Sequence, residues 1–245
     1  MDDAAHDNDE IFVYTGGDQV VPYDVRRVRI AKSVTIIPRR AFEFRRSLIY
    51  VEFHDGIERI EGFAFGGCSS LRSVKLLGVK IVKAEAFNNC TQLMDVDSNK
   101  LETIEDGAFN HCTSLRTVTM PCVRNIRTYA FATCRQLTDL EFGEGLETIE
   151  EDAFCGCQRL RGIAMPLKDD MIGDHGFRFC PYLATVDLVG GIHNTIASLH
   201  MESWRDEMKG EINRINQVLP DTNPFSKTVV IQQWIRSVIR RLNHC

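Results

Sequence analysis

The sequence predicts a repeat solenoid of the β-rich α/β class, in which short parallel strands stack into a sheet and two helices follow. The frame Ala-Phe-x-x-Cys-x-x-Leu recurs in seven copies, five complete and two altered at one residue, and apolar residues alternate after each copy as in a strand. The phenylalanines of the frame stand at positions 42, 65, 87, 109, 131, 154 and 177, so each step is 22 or 23 residues. A constant period with one aromatic per copy is typical of a solenoid.

The composition disfavours several classes of function. Apolar residues make up 44% of the chain and charged residues 26%, as in folded globular proteins. The net charge of −5 disfavours nucleic acid and anionic membrane as the main partner. No apolar run approaches the roughly 20 residues that span a bilayer, and the acidic first ten residues lack the apolar stretch of a secretory signal. We therefore expect an intracellular protein, cytoplasmic or nuclear.

The nine cysteines indicate packing rather than chemistry. An odd number without a secretion signal favours a reducing compartment. No Cys-x-x-Cys pair is present, so we expect no metal and no cofactor. Our interpretation is a stack of buried thiols that act as small hydrophobes, with a metal or disulfide ladder as the alternative. Six cysteines share one position of the repeat: Cys68, Cys90, Cys112, Cys134, Cys157 and Cys180.

The solenoid is predicted to occupy residues 20–191, after an acidic flexible tail at residues 1–19. Residues 25–30 have the spacing of the strand that follows each Cys motif, but no Ala-Phe precedes them, so we predict a half-repeat that caps the N-terminal end. A second apolar pair, such as Ile57 and Ile60, lies seven and four residues before each Ala-Phe and predicts a second short extended segment. The Ala-Phe stretch itself is predicted to form one helical turn.

The period stops after Gly190-Gly191, and residues 192–245 predict two amphipathic helices joined by a turn that contains Pro220 and Pro224. Such an αα-hairpin would cap the open end of the solenoid; the alternative is a surface for a partner or for self-association. The first helix, residues 198–219, places on one face Met201, Trp204, Met208, Ile212, Ile215 and Leu219. The second begins at about Ser226 and has an apolar seam of Ile231, Ile235, Val238 and Leu242, with Trp234 beside it.

The whole pattern, Val-x-x-Ile-x-x-x-Ala-Phe-x-x-Cys-x-x-Leu-x-x-Val-x-Leu, resembles the leucine-rich repeats of the BspA type (the LRR_5 class) over residues 25 to about 190. The resemblance implies a curved, right-handed horseshoe with a parallel sheet on its inner face. Arg45 replaces Cys in the first copy and Gly176 replaces Ala in the last, which marks the two ends. The segments Trp-Arg-Asp-Glu-Met and Gln-Gln-Trp-Ile-Arg are similar to a helical tail that follows such repeats in large families from unicellular eukaryotes.

No catalytic motif emerges from the sequence. It contains no phosphate-binding glycine loop, no Gly-x-Ser-x-Gly and no His-Glu-x-x-His. His111 lies in a variable position of the repeat, where we expect it to face solvent. Cys122 and Cys155 lie outside the repeated position, but no histidine at a telling spacing supports a nucleophile. We therefore expect a protein that is not an enzyme.

The remaining candidate site is the inner face, meaning the residues that alternate with buried ones along the longer strand of each repeat. Charge on this face is predicted to grade from basic to acidic over about 35 Å, taking eight strands at roughly 4.8 Å. Charged faces of this kind are the usual binding surfaces of solenoids. We predict that the stretch from Asp95 to Glu141 receives a basic segment of a partner protein; the alternative is that its charges only keep an exposed sheet in solution. The candidate residues are Tyr50, Glu52, Lys75, Asp95, Asp97, Thr117, Thr119, Asp139, Glu141 and Asp187.

The sequence therefore predicts a non-catalytic protein–protein interaction scaffold that uses the solenoid surface. One alternative is a structural module that forms a homodimer through its C-terminal helices. A second alternative, from the resemblance, is a BspA-like adhesin at the cell surface, against which the missing signal and the unpaired cysteines count.

Overall fold

The structure, a computed structural model, describes residues 10–189 and 202–243. In these ranges the chain forms a parallel-strand solenoid of about seven turns followed by two helices, which confirms the predicted fold class. Residues 1–9 of the predicted tail lie outside the described residues, as does the predicted boundary between residues 191 and 192.

The strands, numbered in chain order, form three parallel sheets, of which a six-stranded and a three-stranded sheet continue one another through a single bridge and are together called the first sheet. The first sheet contains β1 (Ile11–Tyr14), β2 (Arg27–Ile30), β4 (Tyr50–Glu52), β6 (Ser73–Lys75), β8 (Asp95–Asp97), β10 (Thr117–Thr119), β12 (Asp139–Glu141), β14 (Gly162–Met165) and β15 (Thr185–Leu188). The second contains β3 (Ile36–Ile37), β5 (Arg59–Ile60), β7 (Ile81–Val82), β9 (Thr103–Ile104), β11 (Asn125–Ile126) and β13 (Thr148–Ile149). A bridge from Met120 to Phe142 links β10 to β12 across the one gap in the first sheet.

A ladder of stacked phenylalanine rings fills the centre of the solenoid. Each ring is fully buried and lies 4.8–5.5 Å from the next, centroid to centroid, with the planes within 8° of parallel. This distance is close to the roughly 4.8 Å between neighbouring strands, so the same repeat spaces the sheet and the rings. The ladder contains Phe42, Phe65, Phe87, Phe109, Phe131, Phe154 and Phe177.

The Ala-Phe stretch forms tight turns, and the prediction of a helical turn there is wrong. The residue before Ala and the residue before Cys have positive φ, as at Glu85 (56°) and Asn89 (60°), which interrupts any helix. The N–H groups consequently alternate in direction. That of Ala86 bonds within its own turn, to Lys83, whereas that of Phe87 bonds to the carbonyl of Ala108 in the next coil at 2.8 Å. These outward N–H groups join neighbouring coils on the side away from the sheets.

The N-terminal end begins earlier than predicted. Residues 11–14, assigned to the tail, form β1 and pair in parallel with the whole of β2, so residues 25–30 supply the second strand rather than the first. Tyr14 is buried and ends the ring ladder edge-on to Phe42, at 4.9 Å and 64°. Arg45, at the Cys position of the first coil, donates from Nε and Nη2 to the carbonyl of Val21 at 3.0 and 2.8 Å.

The C-terminal helices, α1 (Glu202–Val218) and α2 (Lys227–Asn243), cap the last coil. Thr228 Oγ1 accepts a hydrogen bond from the N–H of Phe177 at 3.0 Å, replacing the alanine carbonyl that a further coil would offer. Asn216 Oδ1 accepts from the N–H of Val186 in β15 at 2.8 Å. Lys227 Nζ donates to the carbonyls of Pro181 and Leu183.

The predicted apolar faces of both helices are buried where the structure describes them: Met208, Ile212, Ile215, Leu219, Ile231, Trp234, Ile235 and Val238. Met201 and the side chains of Trp204 and Leu242 lie outside the described residues. The described parts of these two apolar faces are therefore used within the chain.

The ring ladder makes Phe109→Ala, in the middle of the stack, strongly destabilising. We expect the free energy of unfolding to fall by about 3–5 kcal/mol, because the substitution leaves a cavity between two rings that the coils cannot close. Urea unfolding followed by circular dichroism measures the change. Tyr182→Ala, at a side chain that is 67% exposed, is the control and should change stability by less than about 0.5 kcal/mol. An unchanged midpoint for Phe109→Ala would contradict the role of the ladder.

The cap predicts a difference between two substitutions at the buried Thr228. Thr228→Val keeps the shape but leaves the N–H of Phe177 without an acceptor, so stability should fall by about 1–3 kcal/mol. Thr228→Ser keeps the hydroxyl and should retain most of that stability. Thermal melting of both variants and of the wild type measures these changes in stability. Equal losses of stability in the valine and serine variants would show that the hydroxyl does not cap the solenoid.

Candidate partner-binding face

The ten predicted residues of the inner face all lie on strands of the first sheet. Their side chains are exposed, except that Glu52 is half-buried. The register aligns neighbouring coils, so that Asp97 lies beside Lys75 on one side and Thr119 on the other. The structure thus brings these residues onto one continuous surface, and their role in binding stays a prediction.

A groove of about 910 Å³ crosses this face over its C-terminal half. Its floor contains Gly162 and Ala164, which occupy positions where neighbouring coils carry charged or hydroxyl side chains. A Cβ atom on Gly162 would lie 2.6 Å from Thr185 Oγ1 and 3.2 Å from Asp139 Oδ1, so the missing side chain lets these two polar groups approach over the floor. The acidic residues at the groove are Asp139, Glu141, Glu144 and Asp187.

The groove differs in position from the stretch predicted from sequence. Asp95 and Asp97 lie outside it, whereas Asp187 and the small residues of β14 belong to it. The small side chains of the groove floor could have been noticed in the sequence, because Gly162 and Ala164 are the two smallest residues in the inner-face positions. The sequence did not reveal that their neighbours would enclose a depression there.

The basic and acidic parts of the inner face differ in how their charges are paired. At the basic end, Arg29 forms an ion pair with Glu52 at 2.8 Å, and the Arg27 guanidinium lies 5.7 Å from the Tyr50 ring centroid. In the acidic part, no described residue forms an ion pair with the four carboxylates Asp97, Asp139, Glu141 and Asp187. The negative charge of this half is therefore left to solvent or to a partner.

Charges around the second sheet are arranged in the opposite way, because many pair between neighbouring coils. Lys83 pairs with Glu105 at 2.6 Å, and Arg127 with Glu150 at 3.0 Å. Arg124 and Glu147 make a third such pair at 3.2 Å. These pairs largely neutralise that side of the solenoid, so the acidic excess is concentrated on the inner face.

The six repeated thiols form a second ladder, which confirms that they are buried and adds a hydrogen bond to each. Every Sγ donates to the carbonyl of a phenylalanine in the preceding coil at 3.0–3.3 Å. Burial raises the pKa of Cys68 to about 12 and also raises the pKa of Cys90, Cys112, Cys134 and Cys157. All eight cysteines among the described residues are free, so no disulfide joins the ladder.

One cluster of titratable side chains lies on the turn side of the last coils. The buried carboxylate of Asp152 pairs with Arg178 at 3.0 Å, and burial raises the pKa of the nearby Cys155, which works against a thiolate nucleophile. Glu151, Asp152 and His175 hold potential ligand atoms within 4.8 Å of one another. A cation there would have to compete with the Arg178 guanidinium for the central carboxylate.

A parallel solenoid whose coils are 22 or 23 residues long has the repeat length of leucine-rich repeat proteins. The family model described as the BspA type leucine rich repeat region matches residues 23–135 and 102–203 in six copies, so the chain belongs to this family. Its members are non-enzymatic repeat proteins. No helix in the described part of the chain combines the length and apolar character needed to cross a bilayer.

Solved structures of bacterial leucine-rich repeat proteins are similar to the chain. A protein from Bacteroides ovatus is 21% identical with a TM-score of 0.41, and the match covers 69% of this chain and 65% of that one. The T. pallidum protein TpLRR is 21% identical with a TM-score of 0.44, covering 71% and 70%. The chain thus spans slightly less than two thirds of the Bacteroides protein. The comparison with curated proteins gives no match.

The thiol ladder predicts selective labelling of the folded protein. Iodoacetamide at about pH 8 should modify the exposed Cys122 and leave the six ladder thiols unmodified, because burial makes them inaccessible. Peptide mass mapping after labelling gives the modified positions, and labelling in urea provides the control in which every thiol reacts. Rapid modification of Cys112 in the folded protein would contradict the ladder.

Proposed function

We propose that the protein is a non-catalytic interaction scaffold whose inner face binds a basic segment of a partner protein. The observation that carries this proposal is the contrast in charge pairing. Carboxylates on the inner face from Asp97 to Asp187 lack ion-pair partners in the described structure, whereas Glu105, Glu147 and Glu150 around the second sheet each pair with a cation of the neighbouring coil. A need for solubility would explain charged residues on the inner face and around the second sheet alike. It does not explain why the charges are paired on one of these surfaces and not on the other.

The groove supplies a place for such a segment. A chain crossing from β10 to β15 passes over three strand spacings, roughly 14 Å, which an extended peptide of about four residues covers. Lysine or arginine side chains on this segment would reach Asp139, Glu141 and Asp187 at the walls. The small floor at Gly162 and Ala164 would let the segment approach the sheet backbone closely. Arginine is the better match, because its guanidinium bonds a carboxylate with two N–H groups.

We further propose an intracellular location, which the free thiols support, since disulfides are rare in reducing compartments. The cell-surface adhesin remains an alternative, and fractionation of native cells separates the two. The homodimer through the C-terminal helices also remains an alternative. It has less surface available than the sequence indicated, because the described residues of the two predicted apolar faces are buried. Light scattering of the purified chain decides between monomer and dimer.

The proposal predicts that reversing the acidic charges of the groove abolishes binding to a basic peptide. The variant Asp139→Lys, Glu141→Lys, Asp187→Lys should bind a fluorescent arginine-rich peptide about tenfold or more weakly than the wild type, by fluorescence anisotropy. The matched control is Glu58→Lys, Glu102→Lys, Asp106→Lys, which changes the net charge equally at exposed positions outside the first sheet.

Affinity capture from native lysate with the same three baits then identifies the partner. Proteins retained by the wild type and by the control, and lost by the groove variant, would be those held at the inner face. Equal weakening of the peptide by both variants would mean that only net charge matters, and the inner face would then be a solvated surface.

A further inference from the structure

The turn that follows each Phe carries a charge bias that the fold does not require. The five-residue segment from the Cys position to the residue after Leu occurs seven times, and the repeat constrains only its first and fourth residues. These segments contain no aspartate or glutamate, although the average composition of the chain would place about three at their 21 unconstrained positions. They contain seven arginines: Arg45, Arg46, Arg72, Arg116, Arg135, Arg159 and Arg161.

Five of these arginines form an exposed positive edge along the solenoid. Arg45 is used in the N-terminal cap, and the Arg46 guanidinium lies 5.9 Å from the Phe44 ring centroid. Within residues 10–189 and 202–243, the other five are exposed and form no ion pair. We call them the arginine edge: Arg72, Arg116, Arg135, Arg159 and Arg161.

The edge contains a groove of about 630 Å³. Arg72 and Arg116 stand at the same repeat position two coils apart, about 10 Å, because the backbone bonds through Met94 join the three coils at 2.8 Å each. Arg135 is at a different repeat position in the next coil and also lines the groove. Amide and hydroxyl side chains occupy the space between the arginines: Gln92, Thr113, Ser114 and Gln136.

We propose that the arginine edge binds an acidic peptide in extended conformation, running along the solenoid axis. Guanidinium groups bind carboxylates in a bidentate manner, and glutamine side chains can both donate to and accept from a peptide backbone. From Arg72 to Arg161 the edge crosses four strand spacings, roughly 19 Å, so an extended segment of about six residues would span it. This surface is separate from the inner face and takes a partner of opposite charge.

The surroundings of the edge favour a peptide over nucleic acid. Asp95 and Asp139 follow directly on residues of these segments, so acidic side chains of the first sheet border the edge at two of its coils. A nucleic-acid duplex is broad enough to overlie them and would be repelled, whereas a single extended peptide fits the narrow positive strip. Single-stranded nucleic acid is usually bound by stacking on aromatic side chains, and none lines this groove.

The test uses the full chain and a fluorescein-labelled peptide of alternating glutamate and serine, about eight residues long. The same peptide with glutamine in place of glutamate controls for charge, and an oligothymidylate of similar length controls for ligand class. Anisotropy titrations compare the wild type with Arg72→Glu, Arg116→Glu, Arg135→Glu. The matched variant Lys32→Glu, Lys80→Glu, Lys100→Glu makes the same charge change at exposed positions off the edge.

We expect the glutamate peptide to bind the wild type and the lysine variant alike. Its binding should be about tenfold or more weaker to the arginine variant and should weaken further when salt rises from about 0.05 M to about 0.5 M. Circular dichroism checks that each variant is folded. The proposal is overturned by glutamine and glutamate peptides that bind equally, by equal losses in both variants, or by an oligothymidylate that binds more tightly than the glutamate peptide.

Discussion

The alternation of N–H direction in the Ala-Phe turn is the constraint on which the rest of this structure depends. A helical turn at Ala86-Phe87 would direct every N–H back into its own coil and leave neighbouring coils joined only through the sheets. Two left-handed residues per turn direct alternate N–H groups to the next coil instead. With hydrogen bonds on the turn side as well as in both sheets, each coil is held at one spacing from the next. The phenylalanine rings then have a single distance at which to stack, and each thiol meets the carbonyl one coil away at hydrogen-bonding distance.

A solenoid built in this way has two open ends, where backbone N–H and carbonyl groups lack a neighbouring coil to bond to. The chain supplies hydrogen-bond partners of different kinds at the two ends. The coil before the first repeat is a loop that offers a carbonyl at Val21, and the long guanidinium of Arg45 reaches it where a thiol would be too short. At the other end the last coil presents both N–H groups and carbonyls. The hairpin forms hydrogen bonds with both kinds of group. The Thr228 hydroxyl accepts from an N–H group, and the Lys227 ammonium donates to carbonyls. Neither residue follows from the repeat pattern, because each replaces a group that the missing neighbouring coil would have supplied.

Periodicity made the coils predictable, since residues such as Val96 and Val118 must be buried if the frame recurs. It failed at two places for physical reasons. β1 is not preceded by an Ala-Phe-Cys frame, so the repeat pattern does not predict that it pairs with β2. The second failure is the helical turn predicted at each Ala-Phe. The stretch is only about six residues long, too short for the sequence pattern to distinguish a helix from two successive turns. The charges of the candidate face could be located from sequence, but their pairing could not. Whether Arg29 meets Glu52 depends on the register across a step of 23 residues and on the side-chain reach that the fold permits.

Because a residue at one repeat position becomes a column along the solenoid, the composition of each variable position determines the composition of a surface. Folding requires the Cys, the Leu and the alternating apolar residues, and it leaves the positions between them free. Random choice at the free positions would mix charges of both signs in every column. In this chain the columns around the second sheet do mix the signs, at pairs such as Arg124 and Glu147. Elsewhere the signs are separated, with carboxylates that have no ion pair to a described residue on the sheet at Asp139 and Glu141, and arginines without acids on the turn edge at Arg72 and Arg116. Charges of opposite sign on adjacent columns that form no ion pairs add no ion-pair stability to the fold. The stability of the fold therefore does not explain why the charges are separated. A surface that distinguishes partners by charge does give one.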